Sequence, residues 1–444
     1  MLEEADTVPK FDLVIKNGTI VTENHIAKTD LAISKRKIVK IASNIPIELA
    51  KQHYDAANLH ILPGVIDIHV HLNEPGRTDW EGICSGTKSL AAGGVTTYFD
   101  MPLNSSPPTT SPTAFYEKKR LATEKSLINY RFWGGLVPDN LLQLEALSEC
   151  GVVGFKAFMS GSGIAEFPAA DDETLRIGMG KIAELKMILA LHAESEKIIK
   201  PLSEKWASGS GGMTGYGYSK SRPIISEIRA VQKVIDLAKQ TGCMLHIVHA
   251  SSSSVVDIVH KAKSVGVNIT VETCPHYLSL TFDEMTGLGG IAKCAPPLRN
   301  QHEVELLWES IKRNEIDMIG SDHSPAPLAM KLGNLNEAWG GISGAQTTLN
   351  ILLEEGYWKR QLPLEMIVKL TSSNPAKRFN LYPAKGTIKV DSDADLTLID
   401  LQKAFILQKK DLFYRHPHSP FIGKRFRGKV VSTFVEGRCV YDDM

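Results

Sequence analysis

Two histidines that end an apolar run are the first candidates for chemistry in this sequence. His69 and His71 stand one residue apart in the segment DIHVHLNEPGR. In an extended strand, residues i and i+2 share a face, so both rings point the same way. Two adjacent imidazoles can bind one zinc ion through ring nitrogens. The same spacing also fits two half-exposed strand histidines, so the metal interpretation depends on the rest of the chain.

Four other short apolar runs end in side chains that could join the same site. They are GFKAF with Lys156, LALHAE with His192, HIVHASS with His249 and IGSDHSP with Asp322. Each residue alone has a structural explanation, such as a core histidine or a turn-capping aspartate. In a barrel of parallel strands, however, active-site residues come from the C-terminal strand ends. The joint pattern therefore favours one shared site.

Lys156 and three further histidines near these strand ends need separate interpretations. A lysine beside metal cations is driven towards its neutral form, and a neutral amine can react with carbon dioxide to give an anionic carbamate that bridges two metals. For Lys156 taken alone, a salt bridge is the ordinary interpretation. His246 and His249 are three residues apart and fall on opposite faces, so at most one is a ligand. His276 and His323 are predicted to support or pack against the site.

The elements that must position these residues form three regions. Residues 11–62 alternate apolar and polar positions in short strands, and Asn17-Gly18 is typical of a type I′ hairpin. Lys35-Arg36 links two further strands less ideally. After residue 375 the strand pattern returns. We therefore predict one β-sandwich built from residues 1–62 and 376–444, with a catalytic barrel of residues 63–375 inserted between them.

The middle region alternates short apolar runs with longer helical segments, which is typical of an α/β fold of the (β/α)₈ TIM-like barrel type. A doubly wound open sheet is the competing prediction, but no G-x-G-x-x-G follows a strand. The predicted strands cover residues 65–72, 95–101, 152–158, 187–191, 243–248, 268–272 and 316–320. The predicted helices include residues 113–125, 141–150, 225–241 and 302–314.

Composition narrows the class of partner. The 444 residues are 43% apolar and carry equal numbers of basic and acidic residues, 50 of each. This balance favours a small, weakly charged ligand over nucleic acid. The first residues lack a signal-peptide pattern, and no apolar run is long enough to span a bilayer. Six unclustered cysteines indicate reduced thiols, so a cytoplasmic protein is expected.

These motifs resemble the cyclic amidohydrolases, a family that includes dihydroorotases, dihydropyrimidinases or hydantoinases, and allantoinases. The resemblance covers nearly the whole chain, from LVIKNGTIV through PGVIDIHVHLNEPG, GFKAFM, LHAES, HIVHASS, VETCPHYL, CAPPLR and GSDHSP to NPAKRFNL and DADLTLID. The segments HLNEPGRTDWEG and DMPLNSSPPTT are most similar to the allantoinase branch, which opens the hydantoin ring of allantoin to allantoate in purine catabolism.

The resemblance implies a binuclear metal centre, usually zinc, with cobalt, manganese or iron as alternatives. His69, His71 and Asp322 would hold one ion, His192 and His249 the other, and a carboxylated Lys156 would bridge them. A hydroxide between the metals would attack a ring amide, with Asp322 taking its proton and passing it to the leaving nitrogen. The resemblance also implies a homotetramer. The predicted substrate contacts are Asn104, Ala295, Trp339, Gly340 and Gly341.

Three alternatives are weighed against this interpretation. Dihydroorotases carry an arginine two residues after the second metal histidine and a histidine four residues after the metal aspartate; this chain has Asn73 and Ala326. Hydantoinases place a tyrosine five residues after the lysine, where this chain has Gly161, with Ser160 and Ser162 beside it. A metal-free scaffold relative would lack several ligands, whereas this chain keeps the full set.

Overall fold

The computed structural model describes residues 10–207 and 213–443. The chain begins with seven short strands: β1 (Phe11–Lys16), β2 (Thr19–Val21), β3 (Ile26–Lys28), β4 (Asp30–Ser34), β5 (Lys37–Ala42), β6 (Ala50–Asp55) and β7 (His60–Pro63). They divide between two sheets, because β1 lies between β4 and β6 whereas β2 lies between β3 and β7. The N-terminal segment therefore contributes to both layers of a β-sandwich.

The hairpin predicted at Asn17-Gly18 is wrong, since β1 and β2 belong to different sheets. Asn17 has a φ of 63°, but Gly18 does not adopt a positive φ. Glycine is needed there for close packing, because a Cβ on Gly18 would lie 2.4 Å from Ile61 Cδ1. The predicted link at Lys35-Arg36 is confirmed: both residues have positive φ and join the antiparallel strands β4 and β5.

A barrel of parallel strands follows. Its strand segments are β8 (Val65–Val70), β9 (Val95–Asp100), β10 (Asn129–Phe132), β11 (Gly134–Gly135), β12 (Phe155–Phe158), β13 (Ile188–His192), β14 (Met244–Ile247), β15 (Ile269–Thr273) and β16 (Met318–Ile319). β10 and β11 are two parts of one strand interrupted at Trp133, so eight strands form the barrel. A parallel bridge between Val70 and His323 joins the last strand to the first.

Helices surround these strands and continue to the end of the barrel. They are α1 (Ile83–Ala92), α2 (Pro112–Lys125), α3 (Leu144–Cys150), α4 (Asp172–Glu184), α5 (Glu196–Ala207), α6 (Gly215–Ser221), α7 (Ile224–Thr241), α8 (Ser253–Ser264), α9 (Phe282–Leu288), α10 (Gln301–Lys312), α11 (Thr348–Ile351), α12 (Leu364–Val368) and α13 (Asn374–Arg378). Helix α7 shows why they form: Ala230, Val231, Val234 and Ile235 make one buried face, and Gly242 ends the helix with a φ of 74°.

The last three strands complete the sandwich and are β17 (Leu396–Ile406), β18 (Arg425–Val435) and β19 (Arg438–Asp442). β17 pairs with β7, so both chain ends share one sheet. Leu13 and Ile33 of one sheet pack in a common core with Leu398 and Phe434 of the other. The predicted barrel with a β-sandwich from both termini is confirmed. No helix within residues 10–207 or 213–443 is long and apolar enough to cross a bilayer.

Candidate active site

The six predicted metal ligands come from the C-terminal ends of five barrel strands. His69 and Lys156 lie within β8 and β12, and His192 ends β13. His71, His249 and Asp322 lie one to three residues beyond their strands. All six are buried. His249 and Asp322 have positive φ values of 41° and 46°, a conformation that costs non-glycine residues energy and is concentrated at functional sites. The structure thus brings the predicted residues to one end of the barrel.

The first group of ligands consists of His69, His71 and Asp322. Asp322 Oδ1 lies 3.2 Å from His69 Nε2 and 3.4 Å from His71 Nε2. One ligand atom from each residue lies within 4.8 Å of the others, a separation that one metal ion can occupy. The Nδ1 of His69 is 2.5 Å from Oε1 of the buried Glu272. This contact leaves Nε2 of His69 free to bind a metal.

The second group is His192 and His249, whose Nδ1 and Nε2 atoms lie 3.0 Å apart. The opposite nitrogen of His192 is 2.8 Å from Glu194 Oε2, and Arg222 donates to the same carboxylate from Nε and Nη2. Burial opposes ionisation of Glu194, but the charge of Arg222 and the hydrogen bond with His192 lower its pKa to about 2. Burial, reinforced by nearby cations, holds the pKa of His249 well below its ordinary value, so its ring is neutral, as a ligand must be.

Lys156 is buried beside both groups. Its Nζ has no hydrogen-bond partner within the described ranges and lies 5.2 Å from the centre of the Phe158 ring. Burial lowers the pKa of Lys156 to about 8, although Glu272 and Asp322 act in the opposite direction. A buried amine without a hydrogen-bond partner, close to His69, His192 and His249, fits conversion to an anionic bridge. The donor set therefore fits two divalent metal ions.

The five predicted substrate-contact residues line the same cavity as the histidines and Asp322. This cavity has a volume of about 360 Å³ and also contains Ser324, to which Asn104 donates at 3.4 Å. The predicted contacts on its wall are Asn104, Ala295, Trp339, Gly340 and Gly341. Asn73 is not part of that lining. Its φ is 65°, and its Nδ2 donates to Pro325 O at 3.2 Å, so it shapes the loop behind the site.

The histidines outside the predicted ligand set occupy supporting positions. His246 Nε2 lies 3.2 Å from Glu272 Oε2, and His323 Nδ1 accepts the backbone N–H of Gly344 at 3.3 Å. His276, predicted to support or pack against the site, lies close enough to Cys274 and Asp322 for the three to form a second candidate metal group.

Glu194, Glu272 and Arg222 hold the ligands in place but were not singled out from the sequence. A sequence signal existed for Glu194, which follows His192 by two residues in LHAES and so shares its side of an extended chain. Arg222 is thirty positions away from His192, and no local pattern links the two. Its role follows only from the three-dimensional contacts.

This parallel barrel carries a buried donor set that could hold metal, and the chain belongs to the amidohydrolase family, whose model matches residues 60–440. It is similar over its full length to proteins named allantoinase. Identity is 46% to that of Deinococcus radiodurans, covering 97% of this chain and 96% of the relative, and 45% to that of Solibacter usitatus, covering 97% and 94%.

Comparison with solved structures also relates the chain to enzymes that act on cyclic amides. The L-hydantoinase of Arthrobacter aurescens superposes with a TM-score of 0.93 at 33% identity, covering 97% of this chain and 96% of that one. The dihydropyrimidinase of Brevibacillus agri gives a TM-score of 0.89 at 29% identity, covering 97% and 95%. Both the family and the fold are therefore those of hydrolases that act on cyclic amides.

Proposed function

We propose that this protein hydrolyses the hydantoin ring of allantoin to give allantoate. The observation that carries the reaction type is one cavity lined by four buried histidines and the buried Asp322, with the buried Lys156 beside them. The full-length similarity to allantoinases supports the choice of substrate. The hydantoinase and dihydropyrimidinase structures support ring-opening of a hydantoin or dihydropyrimidine as the second candidate.

In this proposal, His69, His71 and Asp322 would hold one divalent ion, His192 and His249 would hold a second, and Lys156 would contribute to both as a carbamate. Such ions, which we propose to be zinc, would supply Lewis-acid polarisation of the amide carbonyl and lower the pKa of the attacking water; cobalt, manganese and iron suit the same donors. Asp322 accepts the proton of the attacking water and donates it to the ring nitrogen as the C–N bond breaks. Burial opposes ionisation of Asp322, but the surrounding histidines keep its pKa far below the ordinary value, so it is the carboxylate that this step needs.

The predicted substrate contacts favour an uncharged ring, whereas Arg222 and Lys293 line another part of the same cavity. Asn104, Ala295 and the segment Trp339-Gly340-Gly341 offer uncharged polar groups to the edges of the ring. The arginine that would bind dihydroorotate is replaced by Asn73, which does not line the cavity. Gly161 lines it without a side chain, and a Cβ there would meet nothing within 4 Å. That space accepts a substituted ring.

Four finer points are part of the proposal and rest on the family resemblance. They are carboxylation of Lys156, a homotetramer, a cytoplasmic location and a role in purine catabolism. Each has a direct measurement: an added carboxylate mass of about 44 Da on the intact chain under non-acidic conditions, sedimentation, cell fractionation and growth on allantoin as nitrogen source.

A substrate panel on the metal-loaded protein tests the function. Allantoin, hydantoin, dihydrouracil and dihydroorotate are compared by kcat/KM, and allantoin is expected to exceed each of the others by at least about tenfold, a difference of ~1.4 kcal/mol in transition-state stabilisation. Preference for dihydrouracil or hydantoin would move the assignment to the second candidate. A protein that binds no metal and turns over none of the four would contradict an enzymatic function altogether.

A further inference from the structure

Three side chains on one part of the cavity wall are not used by the proposed chemistry. Tyr218 belongs to α6, Arg222 follows that helix directly, and Lys293 follows the short 3₁₀ turn Gly289–Ala292. All three line the cavity that contains the histidines and Asp322. We refer to Tyr218, Arg222 and Lys293 as the donor patch.

The donor patch has hydrogen-bonding capacity that its surroundings leave unused. Arg222 uses Nε and Nη2 on Glu194, whereas its Nη1 has no partner in the described parts of the chain. The hydroxyl of Tyr218 likewise has none within residues 10–207 and 213–443. Lys293 Nζ donates to Ala338 O at 2.6 Å and to Asn336 O at 3.5 Å, and it lies 5.1 Å from the centre of the Tyr218 ring. Arg222 is close enough to both that its charge lowers the pKa of Lys293 and opposes the rise in the pKa of Tyr218.

The donor patch can donate hydrogen bonds to an oxygen atom of a ligand. Burial raises the pKa of Tyr218 to about 12, so its phenol keeps the proton and can donate it in a hydrogen bond. Glu194 already pairs with Arg222 and offsets its charge. The ammonium of Lys293, the Nη1 group of Arg222 and the hydroxyl of Tyr218 therefore belong to three residues that line the cavity, a combination suited to a carbonyl oxygen.

The patch lies on the side of the cavity beyond His192. Glu194 bonds His192 on one side and Arg222 on the other, so the free Nη1 is separated from the ligand histidine by a carboxylate and a guanidinium. The reacting ring amide must lie next to Asp322 and the histidines. A group that reaches the patch is therefore a substituent on the ring. Asn336 and Glu337 line the same cavity and offer oxygen acceptors for the N–H groups of such a substituent.

We propose that the donor patch binds the carbonyl oxygen of the ureido arm of allantoin and so selects it over hydantoins without that arm. This inference rests on the proposed function, because the arm is what distinguishes allantoin from unsubstituted hydantoin. Binding energy from the arm would orient the ring for attack.

The deciding variants are Tyr218→Phe and Lys293→Met. Two quantities are measured for each: kcat/KM for allantoin, and the inhibition constant of unsubstituted hydantoin competing with allantoin. Tyr218→Phe should lower kcat/KM for allantoin by about five- to tenfold, the usual effect of losing one uncharged hydrogen bond, and Lys293→Met by about tenfold to a hundredfold. The hydantoin inhibition constant should change by less than about twofold, because that ring carries no arm.

Two substitutions on the same helix serve as matched controls. Tyr216 is half exposed and Lys220 lies 5.3 Å from its ring, and neither lines the cavity. Tyr216→Phe and Lys220→Met should leave both quantities unchanged. Metal content is measured for every variant, so that an indirect effect through Glu194 and His192 is recognised.

The outcomes separate this inference from the function on which it rests. Wild-type protein that does not hydrolyse allantoin contradicts the proposed function. Wild-type activity together with unchanged allantoin kinetics in both variants overturns the donor patch alone. Parallel losses for allantoin and hydantoin, or lost metal, would show a purely structural role and would also overturn it. A selective loss with allantoin supports it.

Discussion

Lys156 lies in surroundings that oppose the charged form a lysine ordinarily has. A buried ammonium with no hydrogen-bond partner costs several kcal/mol, and the structure shows no partner for Nζ in the described ranges. A carbamate between His249 and His69 would remove the positive charge and add two oxygen ligands. Conversion to an anionic carbamate would therefore account for a buried lysine whose Nζ has no hydrogen-bond partner in the described ranges.

Replacing this lysine should remove metal and activity together. In Lys156→Ala we expect less than one firmly bound metal ion per chain after dialysis and a loss of at least about a hundredfold in kcat/KM, because both ions lose a shared ligand. Added acetate or propionate should restore part of the activity by occupying the vacated space. Metal analysis and rate measurements with and without the acid provide the check.

The exposed Lys88 supplies the control, since Lys88→Ala removes the same side chain from the surface of α1. It should keep both metal content and activity. If Lys156→Ala retained two ions and near wild-type rates, the bridging role would have to be abandoned.

At the scale of elements, strand ends were more predictable than strand pairing. The predicted barrel strands match β8, β9 and β12–β16 to within three residues at each end, because a strand buried on both faces is an uninterrupted apolar run. The third strand was missed, since NYRFWGG contains two glycines and little alternation. The Asn17-Gly18 error has a different cause: local turn preference does not record which sheet the next strand joins.

One long-range connection between elements is the segment joining β17 to β18, which reaches back to the barrel. The backbone N–H of Arg415 donates to Glu81 Oε1 at 3.1 Å, and His418 Nε2 lies 2.8 Å from Ala326 O, a few residues beyond Asp322. Glu81 is fully buried, and its Oε2 has no hydrogen-bond partner within the described parts of the chain, although His323 Nε2 lies 3.9 Å away. Burial raises the pKa of Glu81 to about 7, although the N–H of Arg415 opposes the rise.

This buried carboxyl should make stability depend on pH. The folded chain holds the proton of Glu81 from pH 4.5 up to about 7, where the unfolded chain releases it, so the free energy of unfolding falls as pH rises through that window. The loss attributable to Glu81 is about 3 kcal/mol. Glu81→Gln lacks this titration, and its stability should fall less than that of the wild type between pH 4.5 and 8. Denaturant unfolding followed by tryptophan fluorescence measures both.

The exposed Glu117 on α2 provides the comparison for this measurement. Glu117→Gln should follow the wild-type dependence on pH. If the free energy of unfolding changed with pH equally in the wild type and in Glu81→Gln, Glu81 would not titrate in this window. A protonated Glu81 could then no longer be invoked where the segment joining β17 to β18 contacts the barrel.

At the scale of the whole molecule, the fold explains why the candidate ligands could be predicted from the sequence, whereas the side chains that hold them in place could not. Parallel barrel strands send their C-terminal ends to one rim, so residues far apart in sequence can be assigned to a single site from strand ends alone. Glu272 and Arg222 hold His69 and Glu194 through side-chain contacts between different strands and helices, and those contacts depend on distances that no local pattern encodes.

Because of this geometry, the proposed metal site links most of the barrel strands to one another. The proposed ligands come from five strands, and β8 meets the end of the last strand directly, with His71 N–H donating to His323 O at 2.8 Å. Ions that bind only the folded chain stabilise it by mass action, by about 4 kcal/mol when free metal exceeds the dissociation constant a thousandfold. Chelation should therefore lower the thermal midpoint as well as abolish turnover, and zinc should restore both.

The variant Lys156→Ala distinguishes this linkage from a general effect of the chelator. Because its site should hold metal weakly, its thermal midpoint should already be low and should shift far less on chelation than that of the wild type. A differential scan of both proteins, with and without chelator, makes the comparison. Equal shifts in the two proteins would mean that the stabilising metal is bound elsewhere, and the strand ends would then need another reason to gather four histidines at one rim.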